Sequence, residues 1–265
     1  MGVVFQSGYS LPGGDEPLTH ARILHSGIWQ KGGAVSGTAA ATGYAGAYAD
    51  SSLTYERYKP ASYPANFYYT PAAFTSCDCC CIGAHTAGSS GATLLLRWYN
   101  GSVWTNLATV TPTDDMPIMF IFGAVTAQQW HIYMTNAACE LGVVKFGKAM
   151  QMQRPLYGGH SPLQMARKFG LRSNLSETGE VLGRSVQRTM LQTQLSWQHL
   201  DADWVRSTWR PFQTGAAAEP FFIAWRPETF SEVALAMIDE NPVPQNMGIR
   251  DWMSVDMSVR AHSWD

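Results

Sequence analysis

Cys77-Asp78-Cys79-Cys80-Cys81, with His85 four positions on, is the densest run of chemically capable side chains in the chain. A thiolate beside an imidazole is the core of a Cys–His nucleophile pair. Thiolates at C-x-x-C spacing hold zinc. The spacing here argues against both. Neighbouring residues on a strand point to opposite faces, so these four thiols do not converge on one metal without distorting the backbone. Only Cys77 and Cys80 have the zinc spacing, and no second pair follows. The run instead predicts buried, reduced thiols acting as small apolar residues, with His85 as a core or hydrogen-bonded histidine. No metal site and no cofactor is expected.

Carboxylates give no better case for catalysis. Glycoside hydrolysis needs two of them facing across a cleft. Asp114-Asp115 are adjacent in a turn flanked by Pro112 and Pro117, which suits chain reversal. Asp201 and Asp203 precede a helical pattern and suit capping. Gly-x-Ser-x-Gly, His-x-x-x-His and a phosphate-cradling glycine loop followed by Lys-Ser/Thr are all missing from the sequence. The sequence predicts a protein that is not an enzyme.

Aromatic rings are the better binding material, because a sugar face lies flat on one. The rings in question are those of Tyr44–Tyr69, with Trp98, Tyr99 and Trp104. Tyr58, Trp98 and Tyr99 are the candidate ligand contacts. The competing role for each ring is packing inside a sandwich or an interface. Trp104 and Trp130, in apolar strands, are expected in the core.

The elements that position these residues are strands. Residues 91–147 read as antiparallel strands with polar turns and look like the organising core of a first domain. Asn100-Gly101 marks a tight hairpin turn. Ile118–Phe122 is nearly all apolar, as in a strand buried on both faces. Residues 18–29 hold a first strand, and Lys31–Gly46 is glycine- and alanine-rich loop. The Pro/Gly-rich stretch 151–162 is the best domain boundary. Beyond it come a hairpin at Ser176–Glu180, an alternating strand with Leu191, Thr193, Leu195 and Trp197 on one face, and one helix carrying Trp204, Val205, Thr208, Trp209 and Phe212. A buried strand at Phe221–Trp225 follows, and a last one puts Met253, Val255, Met257 and Val259 on one face. The fold class is therefore mainly β: a sandwich at 1–150, a connector at 151–162, and a β-rich domain at 163–265 with one helix packed on a sheet. Residues 1–17 pack on either domain.

At 265 residues the chain is long enough to fold without disulfide or metal. Only 14% of it is charged, and ten tryptophans and eleven tyrosines go with this. That balance suits either a plain β-rich protein or one that buries surface against partners. A net charge of −2 gives no basic field for nucleic acid. The longest apolar stretch, Ile118–Val125, is far short of the ~20 residues that cross a bilayer. No signal peptide precedes it, so synthesis in the cytoplasm is expected.

Ala92–Trp104, Pro112–Phe122 and Trp130–Gly147 resemble the galactose-binding-like, discoidin-type jelly-roll module. Further motifs follow in order: Ile82–His85, Tyr157–Pro162, Ser176–Gly179, Gly183–Ser185, Asp203–Arg206, Pro220–Trp225 and Asp251–Val255. This order is similar to that of a family of phage and prophage tail proteins, and the likeness runs from about Ala73 onward. The resemblance implies a non-enzymatic structural protein of the virion, at the tip of a long tail. It would form a ring, usually a hexamer, around the tail tube and touch other tail and baseplate proteins. The C-terminal domain would close the ring through Trp197, Trp204, Trp209, Phe221 and Trp225, and the jelly roll would face outward. The alternative is an adhesin whose jelly roll docks on cell-surface polysaccharide. The cysteine-rich run departs from the family pattern.

Overall fold

Polar and apolar residues alternate along Gln129–Thr135, and half-buried and buried positions alternate along Thr93–Leu96 of Thr93–Tyr99, so these strands, with Trp104–Val110 beside them, have a core side and an outer side. In the computed structural model, which describes residues 2–248 and 250–262, these strands belong to a five-stranded antiparallel sheet. Its order is Ala34–Gly37, Ala65–Thr70, Gln129–Thr135, Thr93–Tyr99, Trp104–Val110. Positions 1, 249 and 263–265 of the expected domains lie outside the described residues. The Asn100-Gly101 turn closes as its residue types demand. Asn100 Oδ1 accepts from the backbone N–H of Ser102 and Val103 at 2.8 and 2.9 Å, and Gly101 takes φ +99°.

A four-stranded sheet lies against the inner side of this one, in the order Val3–Phe5, Ile118–Thr126, Ser76–Gly83, Val143–Gly147. Phe67, Leu94, Leu96, Trp130 and Ile132 from the first sheet pack on Cys80, Ile82, Ile118, Phe120 and Phe122 from the second. The result is a β-sandwich, and the protein is mainly β throughout.

The four-stranded sheet is covered on its other side too. Met119, Ile121, Cys79, Cys81 and Val143 meet Leu24, Phe222, Ala224, Val233 and Leu235 of a third, eight-stranded sheet. That is why Ile118–Phe122 is apolar at every position: its alternate residues enter different cores. The third sheet runs Met150–Gln151, Arg22–Leu24, Phe221–Ala224, Val233–Ile238, Trp252–Ala261, Val181–Asp201, Arg167–Leu175, with Gln245–Asn246 beside Trp252–Ala261. Leu191, Thr193, Leu195 and Trp197 are buried on one face, as their alternation predicts.

A helical segment covers that face through Val205, Trp209, Phe212 and Ala216. Asp201 caps it, its Oδ1 accepting from the N–H groups of Asp203 and Trp204 at 2.9 Å each. The segment loosens into a π turn at Val205–Trp209, just before Pro211. Proline has no N–H to give the carbonyl four residues back, so the regular ladder breaks there.

Strand pairing redraws the expected first domain. Arg22–Leu24 pairs with Phe222–Ala224 and with Met150–Gln151, all in the eight-stranded sheet. The sandwich thus leaves and re-enters that sheet through two adjacent strands. The start of the chain touches both parts. Val3–Phe5 pairs in parallel with Met119–Ile121, while the N–H groups of Gly2 and Val3 donate to Ser231 Oγ at 3.0 and 2.9 Å.

The cysteine strand has a bulge between Cys77 and Cys79, which resets the alternation. Cys77 and Cys80 enter the sandwich core, and Cys79 and Cys81 enter the junction with the third sheet. Burial pushes all four thiols above their ordinary range, and all are free. Their role is packing. His85 is buried, its Nε2 2.7 Å from the Met116 carbonyl and its Nδ1 accepting from the Ala87 N–H at 3.2 Å. It ties the 112–117 turn to the short helix Ala87–Ser90. Gly88 in that helix is obligatory, because a Cβ there would lie 2.1 Å from the backbone of Asp114.

Asp78, at the bulge, accepts from the Ala149 N–H at 2.7 Å. Burial pushes its carboxyl up to about 6, against the pull of that hydrogen bond and of Lys148. A carboxyl with a raised folded pKa holds its proton more tightly when folded. Its contribution is therefore fully present at acid pH and is lost as pH rises to about 6. Asp78→Asn keeps an acceptor for Ala149. It is expected to stabilise the protein by about 1–3 kcal/mol at neutral pH and to leave stability near pH 4 almost unchanged. Urea titrations at the two pH values check this; an equal effect at both would refute it.

Candidate ligand-binding surface

The outer side of the five-stranded sheet carries a cluster of rings. The pairing register fixes the cluster. Tyr68 sits opposite His131, His131 opposite Arg97, and Tyr99 opposite Trp104. Residues opposite one another share a face. Tyr68 stacks on His131 with centroids 4.4 Å apart. Trp104 meets Tyr99 at 5.1 Å, His131 at 5.4 Å and Tyr68 at 5.7 Å. Tyr133 lies 5.9 Å from His131, and the Arg97 guanidinium sits over its ring at 5.5 Å. Trp104 is 37% exposed and is the ring that solvent sees most.

Polar groups frame these rings. His131 Nε2 is hydrogen-bonded to Asn66 Oδ1 at 2.9 Å. Burial, helped by Arg97, pulls the His131 pKa down to about 4, so the imidazole is neutral at physiological pH. Asn106 is exposed opposite Arg97, on the same face as Trp104, and Gln129 Nε2 donates to Thr70 Oγ1 at 2.9 Å. The surface is apolar at its centre and edged with polar donors and acceptors, with the Arg97 guanidinium as a cation among them.

Of the three rings named from sequence as ligand contacts, Tyr58, Trp98 and Tyr99, only Tyr99 lies on this surface, where Tyr68 and Trp104 from the wider set of candidate rings join it. Tyr58 is 2% exposed, with its hydroxyl donating to the Thr38 carbonyl at 2.7 Å, and it belongs to the sandwich core. Trp98 points the opposite way from its neighbours Arg97 and Tyr99 and packs against that core. Trp104, expected in the core, is exposed, whereas Trp130 is buried as expected. The sequence signal for Trp104 was the polar Thr105-Asn106 directly after it. Arg97, His131 and Tyr133 were missed because only the strand register brings them beside Tyr68.

The five expected assembly residues also divide. Trp197, Trp209 and Phe221 are fully buried in the core between the eight-stranded sheet and the helix, so they have no ring face to offer another chain. Trp204 and Trp225 keep part of their surface. Trp225 stacks on Phe230 at 4.8 Å and donates to Glu232. Trp204 lines a cleft of about 780 Å³ with Trp29, His25, Glu16, Lys31 and Lys148. That cleft mixes charges of both signs, and Trp29 in its wall lies beneath Lys145 at 5.0 Å. No His/Cys/Asp/Glu group suited to a metal ion occurs among the described residues, nor does a helix long and apolar enough to cross a membrane.

The architecture defined by these observations is a β-sandwich built onto a larger sheet that carries one covering helix. Among solved structures, the chain is similar to a family 32 carbohydrate-binding module from C. perfringens NanJ in complex with galactose. The identity is 12%, over 48% of this chain and 98% of that one, with a TM-score of 0.40. A pectin-binding carbohydrate-binding module is similar at 12% identity, over 44% of this chain and 91% of that one, with a TM-score of 0.39. SpGH29 is similar at 16% identity over 45% of this chain, with a TM-score of 0.40, and the match spans only 27% of SpGH29. No protein-family model matches the sequence, and no curated protein matches it.

Proposed function

We propose that this chain is a non-catalytic carbohydrate-binding protein that meets its ligand on the outer face of the five-stranded sheet. The observation behind this reading is the ring cluster of Tyr68, Tyr99, Trp104 and His131. Apolar C–H faces of a sugar lie on such rings, and the framing amides and hydroxyls take its hydroxyl groups.

The test is a glycan array with the full chain, followed by titration of the best ligand. Trp104→Ala is expected to weaken binding about tenfold, equivalent to about 1.4 kcal/mol. Because Trp104 is exposed, this change leaves the fold intact. Native chain that binds no glycan, or a Trp104→Ala variant that binds equally well, would refute the reading.

A second reading is structural: a component of a long phage tail tip, assembled into a ring with the sandwich outward. What supports it is a β-ribbon, Arg167–Leu175 paired with the first half of Val181–Asp201, that runs beyond the eight-stranded sheet, since the second strand pairs with Trp252–Ala261 only from Leu191. Labelling of virions with antibody to the chain tests it; label absent from the tail tip would end it. The two readings are compatible, since a tail-tip ring that displays a glycan-binding face is a host-attachment device.

A further inference from the structure

The strands of the five-stranded sheet hold a single Lys, Arg, Asp or Glu side chain, that of Arg97. Arg97 stands opposite His131 on one neighbouring strand and Asn106 on the other. The pairing skips Leu107 at this point, so an amide rather than an apolar side chain faces the arginine. The guanidinium sits over the Tyr133 ring at 5.5 Å. Its Nε is enclosed and has no hydrogen-bond partner.

Other half-buried cations are matched. Arg57 and Lys59 pair with Glu140, Lys145 with Asp50 and Arg260 with Asp239. Arg22 donates to the carbonyls of Glu16, Pro17 and His20. Among the described residues no carboxylate forms an ion pair with Arg97, and the five strands have none to offer. A guanidinium is always charged, and an aromatic face offsets part of what it loses on leaving water. A planar anion that accepts two parallel N–H bonds offsets more.

The ring cluster lies beside this charge. Trp104 meets the His131 imidazole at 5.4 Å, the imidazole meets Tyr133 at 5.9 Å, and Tyr133 carries the guanidinium. A sugar resting on Trp104 therefore has an unmatched positive charge close by on the same face. We propose that this face selects acidic sugars, with Arg97 as the specificity residue that takes their carboxylate or sulfate group. The inference rests on the carbohydrate-binding reading above and names the class of carbohydrate.

The experiment is titration calorimetry of the full chain against matched pairs of oligosaccharides. Galacturonate, glucuronate and mannuronate oligomers are offered as free acids and as methyl esters, and a galactan oligomer with and without sulfate. The native chain is expected to bind the charged member of at least one pair about tenfold tighter than its neutral twin. Raising salt from about 0.01 M to about 1 M is expected to narrow that ratio, since a solvent-facing ion pair is screened. Arg97→Gln is expected to bring the ratio to about one. Arg97→Lys is expected to keep part of it, because an ammonium retains the charge but not the planar fork. An arginine that only covers Tyr133 would leave the ratio unmoved by either change.

Circular dichroism verifies that each variant is folded. Should Arg97→Gln fail to fold, the native chain decides: a ratio insensitive to salt overturns the proposal. Preference within the uronate pairs identifies the anion as carboxylate, and preference within the galactan pair as sulfate; either sustains the proposal. Equal affinity within every pair, tighter binding of the neutral members, or a charge preference that survives Arg97→Gln would overturn it and leave the carbohydrate reading standing. So would a chain that binds neutral glycans on the array and neither member of any pair. A chain that binds no glycan at all ends both.

Discussion

Trp130→Ala will destabilise the protein by about 3–5 kcal/mol, the range for deleting a large aromatic from a close-packed core. Trp130 has no exposed surface. Its ring stacks on Phe146 at 4.9 Å and meets Phe122 at 5.7 Å, and Phe146 in turn stacks on Tyr69 at 5.4 Å. The indole therefore joins both sheets of the sandwich. Its Nε1 also donates to Gln30 Oε1 at 2.8 Å, in a buried site. Alanine leaves a cavity and strands that acceptor. Trp130→Phe separates the two effects: it keeps a ring but removes the donor, and an unsatisfied buried acceptor costs about 1–3 kcal/mol. Urea unfolding is expected to rank native above Trp130→Phe above Trp130→Ala. An alanine variant within about 1 kcal/mol of native would mean that the sandwich core is not organised around this ring.

Lys145→Met is the second large effect, at about 2–4 kcal/mol. Lys145 is 5% exposed, and its Nζ lies 3.2 Å from Asp50 Oδ1 and also donates to the Asp50 carbonyl. Removing one member of a buried pair strands the other. The upper end of that range is discounted because the Asp50 side chain is 24% exposed. Burial raises the Asp50 pKa even with Lys145 present, and nearby Glu219 adds to the rise. Without Lys145 it climbs further. A carboxyl raised in the folded state is stabilising when protonated, so the deficit of the variant shrinks as pH falls and Asp50 takes up its proton. Adding Asp50→Asn to Lys145→Met is expected to recover much of the loss at neutral pH. A deficit that does not change with pH, with no recovery in the double variant, would place the effect in the packing of the lysine stem against Trp29, which its ammonium approaches at 5.0 Å.

Local rules served well where a residue answers to its own neighbours. Asn100-Gly101 requires a tight turn whatever surrounds it, and Asp201 caps the helix because its oxygen reaches N–H groups two and three residues on. The alternation of Leu191–Trp197 and the unbroken apolar run Ile118–Phe122 told how many faces are covered. The ring assignments fared worse for a common reason. Whether a tryptophan is an anchor or a core residue depends on which side of its strand is covered, and the partner sheet decides that. Trp197, Trp209 and Phe221 were the right type for an interface and were taken by the molecule's own core. The bulge after Cys77, which sends Cys77 and Cys80 one way and Cys79 and Cys81 the other, likewise has no local signature.

By itself, then, the sequence determined the β class, the turns, the capped helix and the periodicity of each buried face, because these rest on contacts within a few residues. Only the tertiary structure decided that Arg22–Leu24 joins a strand nearly two hundred residues away, that Trp104 rather than Tyr58 faces solvent, and that Arg97, His131 and Tyr133 gather beside Tyr68. Each of these is a matter of strand order and register. Those are set by the summed packing of three sheets, which no single segment encodes.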